Sequence, residues 1–227
     1  MNTKYQPPAS DAGARVVPAR LAALLFSIIV SAGLAGCTFL KPAKSTARFF
    51  VLTPMSATGP APAVPGSMAV GVGQVKLPAY LFNTSLAVRK DTNEIQYLQS
   101  AIWAERLDTG FQRVLAANLA IVLPTDRIYL SAWQRDHVAA ELYVAIEQFD
   151  VDASGRGVLV ARWRVLSPGG DKMLKAGSSR LSRQGPPPDG GASGVIATLS
   201  ELVADFSRQL APALQEAAST HQAAIIP

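Results

Sequence analysis

The side chain with the most chemistry in this sequence is the thiol of Cys37, the one cysteine among 227 residues. It closes the run Leu34-Ala35-Gly36-Cys37, at the end of an apolar stretch that starts straight after Arg20. Lys4, Arg15 and Arg20 make a basic leader and Leu21 to Val30 an apolar core. Ala32, Gly33, Ala35 and Gly36 supply the small residues a signal peptidase needs beside its cut. This is the arrangement of a lipobox: lipid is added to the sulfur, the chain is cut before Cys37, and the freed amino group is acylated as well. Several acyl chains on one residue hold a protein on a membrane, whereas one chain binds only marginally and reversibly. A retained transmembrane helix is the competing reading. Leu21 to Gly36 falls short of the roughly 20 predominantly apolar residues a span needs, and it ends in helix-weakening small residues.

No other constellation points to chemistry. Gly71-Val72-Gly73 suggests a dinucleotide fingerprint at first sight, but position 76 is lysine and the glycines sit inside a strand-like run. No Gly-x-Ser-x-Gly elbow occurs. Glu141 and Glu147 share a parity on a long strand and read as a solvated strand edge rather than an acid/base pair. His137 reads as an exposed loop residue. With Cys37 consumed, His137 and His221 have no cysteine or second histidine at metal-ligand spacing, so neither a metal nor a cofactor is expected. The net charge of +5 includes Lys4, Arg15 and Arg20 against Asp11 in the leader; removing it leaves 18 basic and 15 acidic residues, or +3. That balance does not point to nucleic acid.

The elements that must position any functional surface can be read from period and punctuation. Residues 1–36 are the signal peptide and 37–47 the acylated cysteine with a short tether. About ten extended residues reach no more than about 33 Å, so the folded part sits close to the membrane. Residues 48–216 form one α/β domain and 217–227 a loose tail. Arg48 to Leu52 reads as a first strand, Thr53 to Ser67 as a Pro/Gly loop, and Met68 to Val75 as a strand whose two glycines allow close approach of another backbone. Ser85 to Arg89 and Glu94 to Leu98 flank Asp91-Thr92-Asn93 as a hairpin. Ala101 to Ile121 has helical spacing, with Trp103, Leu107, Phe111, Val114, Leu115 and Leu119 on one face and Glu105, Arg106, Asp108, Gln112 and Arg113 on the other. A short strand ends at Tyr129-Leu130. Glu141 to Val151 and Val158 to Leu166 form a long hairpin, and a change of parity predicts a bulge near Glu147 or Gln148. Met173 to Leu181 adds a strand. Ser193 to Leu214 makes a second helix with Val195, Leu199, Leu202, Val203, Phe206 and Leu210 inward, weakened at its end by Pro212. The sum is an α/β sandwich with a mixed sheet and two long amphipathic helices.

Two surfaces stand out. Leu77-Pro78-Ala79-Tyr80-Leu81-Phe82 holds more apolar bulk than a loop needs, and it either folds back on the core or meets a partner through Tyr80 and Phe82. Arg162 and Arg164 alternate with Trp163 and Val165, which puts both arginines on one sheet face. That face is either solvated or a site for an anionic head-group or a partner.

The runs Val75-Lys76-Leu77-Pro78-Ala79-Tyr80-Leu81, Val88-Arg89, Trp103-Ala104-Glu105-Arg106-Leu107 and Arg113-Val114-Leu115-Ala116-Ala117-Asn118-Leu119-Ala120 resemble the ABC-type transport auxiliary lipoproteins, to which the paraquat-inducible protein C group belongs. Phe149 to Val165, with Gly155 in its turn and Ala161-Arg162-Trp163 on its return, is similar to the same family, so the resemblance spans Phe49 to Leu214. It implies a three-layer α/β fold with a mixed sheet, anticodon-binding-like in outline, and a role without catalysis. Such lipoproteins accompany MCE-domain proteins and membrane permeases that move lipids between the two membranes of Gram-negative bacteria. Thr38 stands where aspartate would signal inner-membrane retention, which implies the outer membrane. The expected function is docking of a periplasmic conduit by a homo-oligomer; the alternative is a periplasmic shuttle that carries lipid in its own cavity.

The lipobox generates a direct test. Cys37→Ser leaves an uncut, unacylated precursor, to be read by intact-mass measurement of membrane and soluble fractions; processed, acylated protein from that variant contradicts the assignment.

Overall fold

Runs of period two and period 3.6 alternate along the chain, and each becomes a strand or a helix in the computed structural model. The structure describes residues 47–56, 68–123, 125–131, 133–134 and 137–223, with side chains to residue 219. The leader, Cys37, the tether to residue 46, most of the Pro/Gly loop and the end of the tail lie outside the described residues. In chain order the elements are β1 (Arg48–Phe50), β2 (Val70–Val72), a 3₁₀ turn (Ala79–Phe82), β3 (Ser85–Asp91), β4 (Glu94–Trp103), helix α1 (Leu107–Val122), β5 (Ile128–Leu130), β6 (Ala140–Asp152), β7 (Arg156–Leu166), β8 (Met173–Gln184), a second 3₁₀ turn (Pro188–Gly190) and helix α2 (Ala192–Ala223).

The sheet has eight strands and is organised by β6. Along one edge β6 pairs antiparallel with β7, which pairs antiparallel with β8. Its other edge is shared between two shorter neighbours. β2 runs parallel to its start, Val70 against Ala140 to Val72 against Leu142, and β3 runs parallel to its end, Val88 against Val151. β5 lies outside β2, while β4 and then β1 lie outside β3. The sheet is therefore forked, and between the prongs Lys76 forms an isolated parallel bridge to β6, opposite Ala145.

The expected bulge is present as a register shift between Ile146 and Gln148. It keeps Leu142, Val144 and Ile146 on the same face as Phe149 and Val151, and all five are buried there. Phe111 of α1 sits between the sheet and α2, its ring centre 5.2 Å from that of Phe149, edge to face, and 6.4 Å from that of Phe206. The α/β sandwich with a mixed sheet and two long helices is thus the architecture observed. Its helices lie side by side in one layer, and among the described residues the opposite sheet face carries Tyr80, Trp133 and Tyr143 and no α-helix. Gly157 of β7 admits α2 closely: a Cβ there would stand 2.9 Å from Leu202 and Thr198 side-chain atoms.

Several local expectations are corrected. Ala101 to Trp103 are strand, not helix, because β1 pairs with them in parallel and draws them into the sheet. Trp103 is buried at the end of β4 and α1 begins at Leu107. Gln112, expected on the solvated face, is buried and its amide donates to the carbonyls of Val72 and Gly73 at 2.9 and 3.0 Å. β2 is only three residues long. The close approach its glycines permit is by aromatic rings, Trp133 at Gly71 and Tyr143 at Gly73. α2 runs through Pro212 to Ala223 instead of ending near Leu214. A proline inside a helix costs about 3 kcal/mol, and burial of Leu214, Ala217 and Ala218 beyond it offsets that.

The fork is closed by a buried charge. Asp150, 1% exposed on the face away from the helices, accepts from both nitrogens of the Arg89 fork at 3.1 and 2.7 Å, from the Tyr80 hydroxyl at 2.8 Å and from the Gln148 amide at 2.9 Å. Tyr97 in turn donates to the Tyr80 carbonyl at 3.0 Å. The 3₁₀ turn is thereby fastened over the gap between β2 and β3. Burial first, then the charge and hydrogen bond of Asp150, push the Tyr80 hydroxyl above its ordinary value.

Two outcomes follow from these contacts. Phe111→Ala lowers stability by about 3–5 kcal/mol, read as a lower denaturant midpoint at unchanged slope. Tyr80→Phe costs about 1.5–3 kcal/mol at neutral pH, as expected for a hydrogen bond to a charged group. Because folding raises the Tyr80 pKa, its contribution is complete below the ordinary tyrosine value of about 10 and is lost as pH rises beyond it. The gap between wild type and Tyr80→Phe therefore narrows in denaturation series run from pH 7 to above pH 10.

Candidate functional site

Two surface grooves, either side of the short segment after β2, are lined by four of the six sequence-predicted contact residues, Leu77 and Phe82 in one and Arg162 and Arg164 in the other. The first is an apolar corner of about 350 Å³ lined by Leu77 and Phe82 together with Val75, Asp108, Thr109 and Gln112. Phe82 ends the 3₁₀ turn and is 55% exposed, while Leu77 and Pro78 are half-buried and Leu81 is buried in the core. Pro78 caps the turn, its carbonyl accepting from the Leu81 N–H at 3.0 Å. The Arg106 guanidinium lies 5.7 Å from the Phe82 ring centre and is held by a two-point ion pair with Asp108 at 2.6 and 3.1 Å. That hydrogen-bonded pairing keeps the Asp108 carboxyl below the usual carboxylate range. Tyr80 is not part of this corner: its hydroxyl is committed to Asp150, so it anchors the turn that presents Phe82.

The second groove, of about 370 Å³, lies on the sheet face away from the helices and holds Arg162 and Arg164 with Lys76, Tyr143, Ala145 and Met173. Its floor is the paired interior of the sheet, Ala145 against Arg162 and Arg164 against Ala176. Arg162 is ion-paired with the bulged Glu147 at 2.5 Å, and both are well exposed. Arg164 lies over the Tyr143 ring, 5.5 Å from its centre. Trp163, expected to be buried opposite, is half-buried, with its indole N–H donating to Ser179 at 3.1 Å. Gln74 and Lys76 line both grooves and form the ridge between them.

Glu141 corrects the expectation of a solvated strand edge. It is 4% exposed and accepts from the Trp133 indole at 3.0 Å, the Tyr143 hydroxyl at 3.0 Å and the Gly169 N–H at 2.8 Å. A buried carboxylate must be met by donors, and these donors lock two rings onto the glycines of the preceding segment. Desolvation and then the bond to Glu141 raise the Tyr143 hydroxyl above its ordinary value. Glu147 belongs to a different environment, so the two glutamates do not converge. Among the described residues no group of three metal-ligating side chains forms, and no helix is long and apolar enough to cross a membrane. Sequence reasoning missed Lys76, Tyr143 and Asp150. Asp150 alternates with Phe149 and Val151 between Gln148 and Asp152, so its sequence reads as an outward polar position and gives no signal of burial.

No curated protein matches this chain. Among solved structures, it resembles an uncharacterized protein at 19% identity and a TM-score of 0.62, over 74% of this chain and 97% of that one. It also resembles a DUF330-family protein from Xanthomonas campestris at 15% identity and a TM-score of 0.63, over 78% of this chain and 99% of that one. At such identities the likeness shows the fold alone. Residues 50–211 match the model of the ABC-type transport auxiliary lipoprotein component, and the chain belongs to that family.

Proposed function

We propose that this protein is a lipid-anchored, non-catalytic docking component of an intermembrane lipid transport system. Cys37 holds it on the periplasmic face of the outer membrane of a Gram-negative bacterium, and the folded part receives an MCE-domain conduit that works with a membrane permease. The observation that favours docking over a lipid-carrying shuttle is the filled interior. Phe111, Phe149 and Phe206 occupy the space between sheet and helices, each no more than 1% exposed, where a carrier needs an apolar cavity of several hundred Å³. Recognition is left to the surface.

The apolar corner supports that role. A tether reaching no more than about 33 Å cannot carry the domain across the periplasm, so the domain receives its partner rather than travelling to it. A receiver for a symmetric tube is best built as a closed ring of identical subunits, which repeats one patch and leaves no open end; a homo-oligomer is part of the proposal. Leu77 and Phe82 supply the exposed apolar contact, and the turn fastened by Tyr80 holds them in place.

The test is recovery of the intact acylated protein from membranes, with mass spectrometry of its partners. Wild type brings down an MCE-domain protein. Phe82→Asp, at a position already 55% exposed, keeps the wild-type unfolding midpoint yet lowers recovery about tenfold or more, as for an interface aromatic worth about 2 kcal/mol, or reduces the native mass. Full recovery at unchanged native mass refutes the corner as a contact. Tyr80 is not the residue to charge, because an acid there stands beside Asp150 and opens the fork.

A further inference from the structure

We propose that the basic groove on the helix-free sheet face binds the phosphate head-group of an anionic membrane phospholipid, with the acyl chains leaving along Ala145 and Met173. The choice of a lipid rests on the transport reading above; the groove itself is argued from its own chemistry.

Charge is the first observation. Three cations, Lys76, Arg162 and Arg164, line the groove. Among the described residues neither Lys76 nor Arg164 forms an ion pair, and the acids of this face are already engaged elsewhere. Asp150 is taken by Arg89, Glu141 is sealed beneath neutral donors, and Glu147 holds Arg162 in an exposed pair. An exposed ion pair is worth little, so Arg162 is available to a stronger anion. A phosphate matches this set because guanidinium forks bind its oxygens two at a time and an ammonium adds a point charge.

Preorganisation is the second. Arg164 is stacked on Tyr143, whose ring lies against Gly73 and whose hydroxyl is bonded to the buried Glu141. Glu141 is fixed in turn by Trp133 and Gly169. The guanidinium thus rests on a platform tied into the fold, which reduces the entropy lost when it is immobilised on a ligand.

The floor decides between a lipid and an acidic peptide. It consists of β6, β7 and β8, paired across the groove as Tyr143–Arg164–Ala176 and Ala145–Arg162–Ser178 between two register shifts, so the backbone donors and acceptors between these strands are already used in the ladder. An extended peptide gains no strand pairing there. What the groove offers is cationic side chains beside apolar ones, including Met173, 62% exposed at its mouth. Cation plus apolar exit is the complement of an anionic amphiphile, and the volume falls within the range of small-ligand sites.

Native mass spectrometry of the acylated protein, released from detergent micelles doped with dioleoyl phosphatidylglycerol, tests the proposal. Wild type retains a phosphatidylglycerol adduct, and the double variant Lys76→Gln with Arg164→Gln weakens it at least tenfold at an unchanged unfolding midpoint. Met173→Asp, which leaves the cations intact, weakens it too. Glycerol 3-phosphate at equal concentration does not displace it. An adduct of equal strength in the double variant overturns the proposal, and displacement by glycerol 3-phosphate overturns it in favour of a free-phosphate site. If the double variant keeps the lipid but loses the MCE-domain partner, the groove is an acidic-protein contact and the proposal is wrong. Partner recovery from the same samples separates the two readings: wild type that recovers its partner but holds no lipid sinks the groove and leaves docking standing.

Discussion

Asp150 is the point on which the arrangement of the sheet depends. A carboxylate that is 1% exposed is tolerated only if its charge is met, and the groups that meet it come from three places in the chain. Arg89 comes from the end of β3, Tyr80 from the 3₁₀ turn, and Gln148 from the bulge of β6 itself. β6 is thirteen residues long, and its second edge is shared by β2 and β3, two short strands that do not meet. The bond from Tyr80 to Asp150 fastens the turn across that gap, together with the Tyr97 hydroxyl on the Tyr80 carbonyl and the buried Leu81 side chain. The apolar corner is therefore positioned by a buried charge: Phe82 is where it is because Tyr80, two residues earlier, is bonded to Asp150.

The helix layer follows from β6 by another route. One extra residue at Glu147 restores the parity that the sequence breaks, so five apolar side chains of a single strand face the same way. Phe149 is the last large one before the hairpin turn, and Phe111 and α2 pack against it. Displacing the register by one residue would turn Phe149 outward and Asp150 inward, losing the core contact and the fork closure together. The bulge is thus needed by both faces of the sheet.

Those features were legible because they are written in local parity and period. The bulge, the two hairpins and the inward faces of both helices required only the residues of their own segments. What was not legible depended on partners distant in sequence. Trp103 sits at a spacing that suits α1, yet parallel pairing with β1, over fifty residues earlier, places it in a strand. Gln112 looks like a solvated helix residue until the end of β2 offers two carbonyls at its side. Glu141 alternates like a surface residue, but Trp133 and the loop at Gly169 close over it. Pro212 is a helix breaker by local rule, and the helix continues because Leu214 and Ala217 have core to reach. In the candidate surface, the arginine pair and the apolar turn were visible as composition. That the Tyr80 hydroxyl is committed to Asp150 was not, since that partner is 70 residues away.

The two grooves share a ridge, and its construction explains why their chemistry differs. After Val72 the chain leaves regular pairing, and Val75 turns into the core while Gln74 and Lys76 stay exposed. Lys76 then returns to β6 through backbone bonds to Val144 and Ile146 at 3.0 and 2.8 Å, which fixes its side chain at the boundary. On the helix side of that boundary, the start of α1 and the 3₁₀ turn supply Asp108 and Phe82, so the corner is apolar with its charge neutralised by Arg106. On the sheet side, Arg162 is paired with the exposed Glu147, and Arg164 and Lys76 stand beside it without an ion-pair partner among the described residues. An anion in the second groove meets both Lys76 and Arg164, whereas Asp108 in the first is already held in a two-point pair. Through Lys76, one backbone segment carries the edge of the apolar corner and a donor of the basic groove.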